Sequence, residues 1–289
     1  LKRYLFIYNP AARNGKPNGR LARLKKRVAD HPASTILHSQ KKGDIAQLVQ
    51  QNINDYDVFV ACGGDGTIGE MGGQLLHTGK ELGIIPMGTG NDLSKTLKIP
   101  KDIDQALEIV FEQSSTAIDV GQFNDVIFLN TLGFGFDGLT NRYAYDYTML
   151  PSFLRYAFAA IRASITHNRF TVHFNGDSSG RQLIMLSFAN GRVEGGSFWI
   201  APEASVTDQR LDMVSIRKVG KWLIPLLLPL FQFKKAGVLP QVQYRQIRKI
   251  SFSLDTTPDI HADGEIIESE ATQFTVTTLS RALNVICKL

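Results

Sequence analysis

A chain of 289 residues, 43% hydrophobic and 20% charged, has the composition of a globular protein and the length of two medium domains. Its two cysteines, Cys62 and Cys287, sit in apolar runs far apart in sequence, a pattern that excludes a disulfide framework and a cysteine metal site and suits reduced core thiols of a cytoplasmic protein. The net charge of +5 is unevenly spread: residues 213–254 hold eight Lys or Arg and no Asp or Glu, leaving 24 basic and 27 acidic residues elsewhere.

Residues 3–8 read as a strand, too short and without the cleavage pattern of a secretory leader. An amphipathic helix is predicted over 18–30 with Asn18 as its N-cap, then a strand at 35–38 and a helix at 44–51. Residues 57–61 are nearly all apolar, as a strand buried on both faces should be. A helix at 67–77 and a strand at 82–85, ending at Pro86, complete the series. This alternation predicts a doubly wound parallel sheet, whose ligands bind at the carboxyl ends of the strands. After Asp119 the rhythm changes. Apolar runs at 126–131, 170–174, 183–189, 211–216, 250–254 and 274–278 are separated by turn-rich stretches such as Asn175-Gly176-Asp177, with one helix at 152–166. The predicted architecture is α/β plus mainly β: a domain at 1–120 and a β-rich domain at 121–289, the last strand being free to return to the first domain. Residues 222–233 are apolar, contain two prolines and are flanked by lysines. They are too short for a bilayer span, which needs about 20 residues. They read equally as a buried helix with solvated lysines or as a segment lying on an anionic membrane surface.

The strongest local signal is Cys62-Gly63-Gly64-Asp65-Gly66-Thr67-Ile68-Gly69-Glu70, after a buried strand and at the head of a helix. Glycines there let the backbone approach a phosphate and adopt positive φ, while free helix-start amides favour an anion. Asp65 would repel phosphates unless Mg²⁺ bridges the two anions. A glycine turn with a capping Asp is the plainer reading, and such loops alone are weak signals. Two further loops add weight. Pro86-Met87-Gly88-Thr89-Gly90-Asn91-Asp92-Leu93 follows the next strand, and Asn9-Pro10-Ala11-Ala12-Arg13-Asn14-Gly15-Lys16 follows the first. Parallel neighbours bring such loops to one edge.

Together these residues resemble the diacylglycerol kinase catalytic-domain family, particularly its bacterial soluble lipid kinases. The likeness rests on Asn9-Pro10, Gly63-Gly64-Asp65-Gly66-Thr67 and Gly88-Thr89-Gly90-Asn91-Asp92. It continues through Gly133-Phe134-Gly135-Phe136-Asp137, Asn190-Gly191, Gly195-Gly196, Ala201-Pro202-Glu203-Ala204 and Asp263-Gly264-Glu265. The resemblance implies a phosphofructokinase- and NAD-kinase-like nucleotide domain, a β-rich second domain and an active site in a cleft between them. It implies ATP contacts from Asn9, Pro10, Ala11, Ala12, Arg13, Ser39, Gly64, Asp65, Gly66, Thr67, Ile68, Gly69, Glu70 and Thr89. Ser39 stands where a Thr is usual, ahead of Gly43-Asp44, and Gly69 where Asn is usual. Asp65 and Glu265 are implied as catalytic, Glu265 as the general base, a role that suits a carboxylate beside an alcohol under phosphorylation. A structural Mg²⁺ is implied near Asp208 and the Arg210 carbonyl, with Gln209 in place of a usual Gly and Ser205 in place of an acidic residue.

The function expected is therefore ATP- and Mg²⁺-dependent phosphorylation of a membrane lipid, diacylglycerol to phosphatidic acid first among the choices, by a cytoplasmic protein in peripheral contact with an anionic membrane. A homodimer is compatible with this. The alternatives are an NAD kinase, which shares the Gly-Gly-Asp-Gly-Thr loop, and a nucleotide- or lipid-binding regulator without catalysis. No nucleic acid is expected, since the basic run lacks interleaved aromatics in a recognisable module.

Overall fold

The computed structural model describes residues 2–12, 19–175, 177 and 179–289. The chain forms two compact units, Leu1–Ile118 with Arg281–Leu289, and Asp119–Ser280.

In the first unit, β1 (Tyr4–Tyr8) pairs in parallel with β2 (Ser34–His38) on one side and β3 (Val58–Gly63) on the other. β4 (Glu81–Pro86) pairs in parallel with β3, and the chain's final strand adds Asn284 and Val285 beside Glu81 and Leu82. Leu5, Phe6, Ile7, Val58, Phe59, Val60, Leu82 and Ile84 are buried, so the central strands need apolar side chains on both faces, which is why they read as continuous apolar runs. Helices α1 (Arg20–Ala29), α2 (Asp44–Asn52) and α3 (Asp65–Leu75) join the strands. Two more, α4 (Asp92–Thr96) and α5 (Ile103–Glu112), follow β4. The sequence reading leaves α5 out, although its signals are present. Asp102 caps it by accepting from the amides of Asp104 and Gln105, and Ile103, Ala106, Leu107 and Val110 form its buried stripe. α3 begins two residues before the predicted start. Asn18, the predicted N-cap of α1, lies outside the described residues. The registers set Tyr8 opposite His38 and Cys62, and Gly63 opposite Pro86, so the loops after four neighbouring strands open on one edge of the sheet.

The second unit is built on antiparallel ladders. Its strands are the later part of β5 (Ser115–Phe123), then β6 (Val126–Phe128), β7 (Thr131–Gly135), β8 (Phe170–Phe174), β9 (Arg181–Ala189), β10 (Leu211–Arg217), β11 (Val242–Ile247), β12 (Lys249–Leu254), β13 (Ile260–Ala262), β14 (Glu265–Ile267) and the earlier part of β15 (Gln273–Ile286), the rest of β5 and β15 belonging to the first unit. Helices α6 (Phe136–Ala144), α7 (Ser152–Thr166) and α8 (Ile224–Gln232) lie among them. One apolar core is organised by Phe123, Phe134, Phe188, Phe252 and Phe274, whose rings meet edge-on, tilted or stacked at 5.2–6.3 Å. A second forms among α6, α7, α8 and the strands they cover. The three-residue strands β13 and β14 escape a periodicity search, as does β11, whose middle residues Gln243, Tyr244, Arg245 and Gln246 are all exposed.

Residues 222–233 are buried only in part. Ile224 and Phe231 are buried, yet Trp222, Leu226 and Phe233 are 82%, 71% and 70% exposed. No helix among the described residues is long and apolar enough to cross a membrane.

Candidate functional sites in the two units

The edge of the first unit is assembled by backbone contacts. The Gly63 carbonyl accepts from the amides of Met87 (2.7 Å) and Gly88 (3.1 Å), which ties the loop after β4 to the loop after β3. A Cβ at Gly88 would fall on the Cα of Gly64, and one at Gly63 would fall on the Thr67 side chain. These glycines are required by close approach. They do not adopt positive φ, which corrects that part of the sequence reading. Asn91 alone in this pair of loops is left-handed, at φ 53°. Asn9 reaches across from the first loop: its Nδ2 donates to Thr67 Oγ1 (2.9 Å) and its Oδ1 accepts from the Ala11 amide (2.9 Å). Ser39 is buried at the end of β2, its amide donating to the Tyr8 carbonyl (3.0 Å).

Asp65 is a clamp in this structure. Oδ2 accepts from the Asn91 amide and Oδ1 from the Asp92 amide, both at 2.7 Å, so its carboxylate caps α4. Burial pushes its pKa up, opposed by those amides and by Lys95. Glu70 is similarly engaged, its Oε1 accepting from the Ala46 amide (3.1 Å) in the first turn of α2. Gly66, Thr89, Pro10 and Ala11 are exposed on this edge, Ala12 is half-buried, and Ile68 and Gly69 lie within α3. The structure therefore brings Asn9, Ser39, Gly64, Asp65, Thr67 and the loop bearing Thr89 to one edge. Arg13 and Lys16 lie outside the described residues.

In the second unit, Glu265 opens β14 from a two-residue hairpin turn, Asp263 at φ 49° and Gly264 at φ 85°, the signs a type I′ turn demands. Glu265 is exposed. The Asp263 carboxylate fixes the turn by accepting from the amides of Leu129 (2.7 Å), Asn130 (2.8 Å) and Thr131 (3.0 Å). Beneath it lies a buried cluster from three elements. His261 Nε2 is 3.2 Å from Glu194 Oε1 and 3.4 Å from Asp137 Oδ2. Ser187 donates to Asp137, and Asn141 Nδ2 donates to Glu194 Oε1 (2.8 Å). Gly133 is a glycine because a Cβ there would strike both Asp137 and His261. Burial first, then the neighbouring Asp137, pushes Glu194 up to about 8, while Asp137 stays low beside His261 despite its burial. The sequence reading quotes Asp137 without a role and omits Glu194 and His261. These residues come together only through folding: Asp137 closes the Gly133–Asp137 motif, but nothing local joins it to Glu194 or His261.

Asp137 and Glu194 also border an apolar chamber lined by Phe136, Tyr156, Ala160, Ile184, Phe198, Ile216, Ile224, Leu228 and Phe231. Its walls are hydrocarbon and aromatic, and its acidic groups sit together.

The loop expected to hold a structural metal is closed on itself. Asp208 Oδ1 accepts from the Arg210 amide (3.0 Å) and Oδ2 from Gln246 Nε2 (3.1 Å), while the Ser205 hydroxyl faces that of Thr207 (3.3 Å). Gln209 is left-handed at φ 63°, which explains why glycine suits that position, and its amide donates to Asp119 Oδ2 (2.6 Å). The acidic atom here without a donor is the buried Oδ2 of Asp212, whose pKa burial and then Asp208 push up to about 6. That orphaned carboxylate oxygen fits a hard cation.

The comparisons with known proteins agree with both halves. Residues 3–123 match the diacylglycerol kinase catalytic domain, and residues 130–287 match the YegS C-terminal NAD kinase beta sandwich-like domain. Diacylglycerol kinases of Staphylococcus aureus strains MRSA252 and Newman are each 27% identical over 284 residues, covering 91% of this chain and 86% of theirs. The fold is shared with a diacylglycerol kinase from Bacillus anthracis strain Sterne, at TM-score 0.76 and 22% identity over 99% of this chain and 97% of that one. It is shared more distantly with an NAD kinase from Archaeoglobus fulgidus solved in complex with ATP, at TM-score 0.52 and 12% identity over 98% and 93%. With matched segments in order along almost its whole length, this chain belongs to the diacylglycerol kinase catalytic-domain family of lipid kinases.

Proposed function

We propose that the protein transfers the γ-phosphoryl group of ATP to the hydroxyl of a membrane lipid, diacylglycerol first among the candidates, giving phosphatidic acid and ADP. The observation that carries the substrate class is the chamber of the second unit. Its apolar walls suit acyl chains, and its acidic end at Asp137 and Glu194 suits the polar head of a lipid. A dinucleotide acceptor would find few polar partners along those walls.

On this reading the first unit binds the nucleotide. The free first-turn amides of α3, at Asp65, Gly66 and Thr67, favour a polyphosphate, with Gly64 before them and Ile68 and Gly69 after them framing the turn. Asn9, Pro10, Ala11, Ala12 and Arg13, with Ser39, Glu70 and Thr89, complete the site. Asp65, whose two oxygens already accept from the Asn91 and Asp92 amides, would face a nucleotide-bound Mg²⁺ through its remaining lone pairs, and that ion would supply neutralisation of the phosphate charge. Glu265 takes the proton of the lipid hydroxyl. The hydroxyl oxygen then bonds to the γ-phosphorus as the bond to the ADP oxygen breaks and ADP leaves. A structural Mg²⁺ would be held by Asp208, the Arg210 carbonyl and Ser205, with Asp212 as a further ligand. The exposed Trp222, Leu226 and Phe233, beside Lys218 and Lys235 in an acid-free stretch, form the face that meets an anionic membrane.

The test supplies γ-labelled ATP, Mg²⁺ and a panel of lipid alcohols in mixed micelles, with an NAD arm beside them. Label is expected in lipid. Label only in NADP, or in nothing, overturns the reading.

A further inference from the structure

In the Asp137–Glu194–His261 cluster the two carboxyl groups border the chamber, whereas His261 has no part in the proposed reaction and instead links them to the turn that carries Glu265. His261 is completely buried. Its Nδ1 accepts from the Gly264 amide (3.3 Å), and its Nε2 faces Glu194 and Asp137. The carboxylates favour a charged imidazole, but a backbone N–H aimed at Nδ1 requires that nitrogen to be bare. The hydrogen bond therefore places hydrogen on Nε2 and leaves Glu194 as the group that keeps a proton. Gly264 is held from its other side by Tyr145, whose hydroxyl donates to its carbonyl (3.2 Å). A chain of contacts thus runs from the acidic end of the chamber, through the imidazole, to the Asp263–Gly264 peptide at the centre of the turn, and the next peptide, between Gly264 and Glu265, is the one Tyr145 holds.

We propose that His261, backed by Glu194 and Asp137 at the edge of the chamber, is a positioning residue that fixes the Asp263-Gly264-Glu265 turn. The inference rests on the lipid-kinase reading and on Glu265 as the base. His261 touches neither substrate. It acts by holding the Gly264 peptide, and hence the Glu265 backbone, in the one orientation compatible with the left-handed turn. Other polar groups on the cluster are Ser187 from β9 and Asn141 from α6, itself accepting from Tyr156 of α7 (3.2 Å). Asp263 faces it from the turn.

The experiment compares His261→Leu, which deletes both ring contacts, with His261→Asn, whose amide oxygen stands in for Nδ1 as acceptor for Gly264. Each is made in the wild-type and in the Glu265→Gln background, and kcat, KM for each substrate and the melting temperature are measured. His261→Leu is expected to lower kcat about tenfold, the worth of one buried hydrogen bond expressed in the transition state. His261→Asn is expected to restore most of that, with KM for ATP unchanged throughout. In the Glu265→Gln background the further loss from His261→Leu should shrink to about twofold or less, because the two residues act as one unit. An equal loss in both backgrounds, or no rescue by Asn in a folded protein, overturns the proposal. Should wild-type protein phosphorylate no lipid at all, the proposed function itself fails; a fully active His261→Leu enzyme sinks only the positioning role.

Discussion

The two units build their polar sites from opposite materials. At the edge of the first, peptide groups do the holding: Gly63 receives two amides, Gly64 and Gly88 meet backbone to backbone, and Asp65 is occupied by the amides of Asn91 and Asp92. In the second, Asp137, Glu194 and His261 converge from a helix, a loop and a strand, and are buried among hydrocarbon. A backbone site tolerates no added Cβ but is indifferent to many side-chain changes. A buried side-chain site is the reverse, and its ionisable groups have shifted pKa values. Damage to each unit should therefore have its own signature.

The largest expected effect is at Glu265. Replacing it by Gln removes the proposed proton acceptor from an exposed turn without disturbing the Asp263 clamp. kcat should fall by about 10²–10⁴ while the melting temperature and ATP affinity hold. Loss of ATP binding in Glu265→Gln would break the division of labour between the units. A smaller effect is expected on the apolar face. Serine at Trp222, Leu226 and Phe233 together should weaken binding to anionic vesicles by about tenfold or more, as each exposed aromatic or leucine loses a bilayer contact. Turnover of a short-chain, water-dispersed lipid should be unchanged. Unaltered sedimentation with vesicles would remove α8 from the membrane account.

An effect of comparable size is a pH dependence of stability that originates in the second unit. Glu194 titrates near 4.5 when unfolded and is pushed up to about 8 when folded, so the folded state holds a proton that the unfolded chain has lost. Its contribution to stability is complete below pH 4.5 and declines as pH rises toward 8. Denaturant unfolding at pH 5 and pH 8 should show Glu194→Gln escaping about 1–3 kcal/mol of the loss suffered by wild type. Parallel pH profiles for the two proteins would show that Glu194 is ionised in the fold.

The same contrast explains what could be read in advance. Glycines forced by close backbone approach sit next to one another in sequence, so the loops at 63–67 and 88–92 were legible, as was the parallel sheet that aligns them. One of the two reasons read for them fails, since none of these glycines has positive φ, while close backbone approach does require them at 63 and 88. Asp65 drew attention as a carboxylate beside phosphates, but its capping of α4 depends on Asn91 and Asp92, which only folding brings near. Asp137, Glu194 and His261 are spaced by 57 and 67 residues, so although Asp137 closes the Gly133–Asp137 motif, nothing local joins the three. The strands β13 and β14 are too short for alternation to show, although Asp263-Gly264 is a hairpin turn signal on its own.

The most direct test is one steady-state experiment on two variants with ATP and lipid both varied. Gly88→Ala drives a methyl group into Gly64 at the nucleotide edge, and Ala160→Leu fills part of the chamber wall. The account expects a crossed result: Gly88→Ala raises KM for ATP about tenfold or more and leaves KM for lipid alone, while Ala160→Leu does the opposite. If folded Ala160→Leu enzyme keeps its lipid KM, the chamber is not where the lipid binds, and the substrate assignment made from it is wrong.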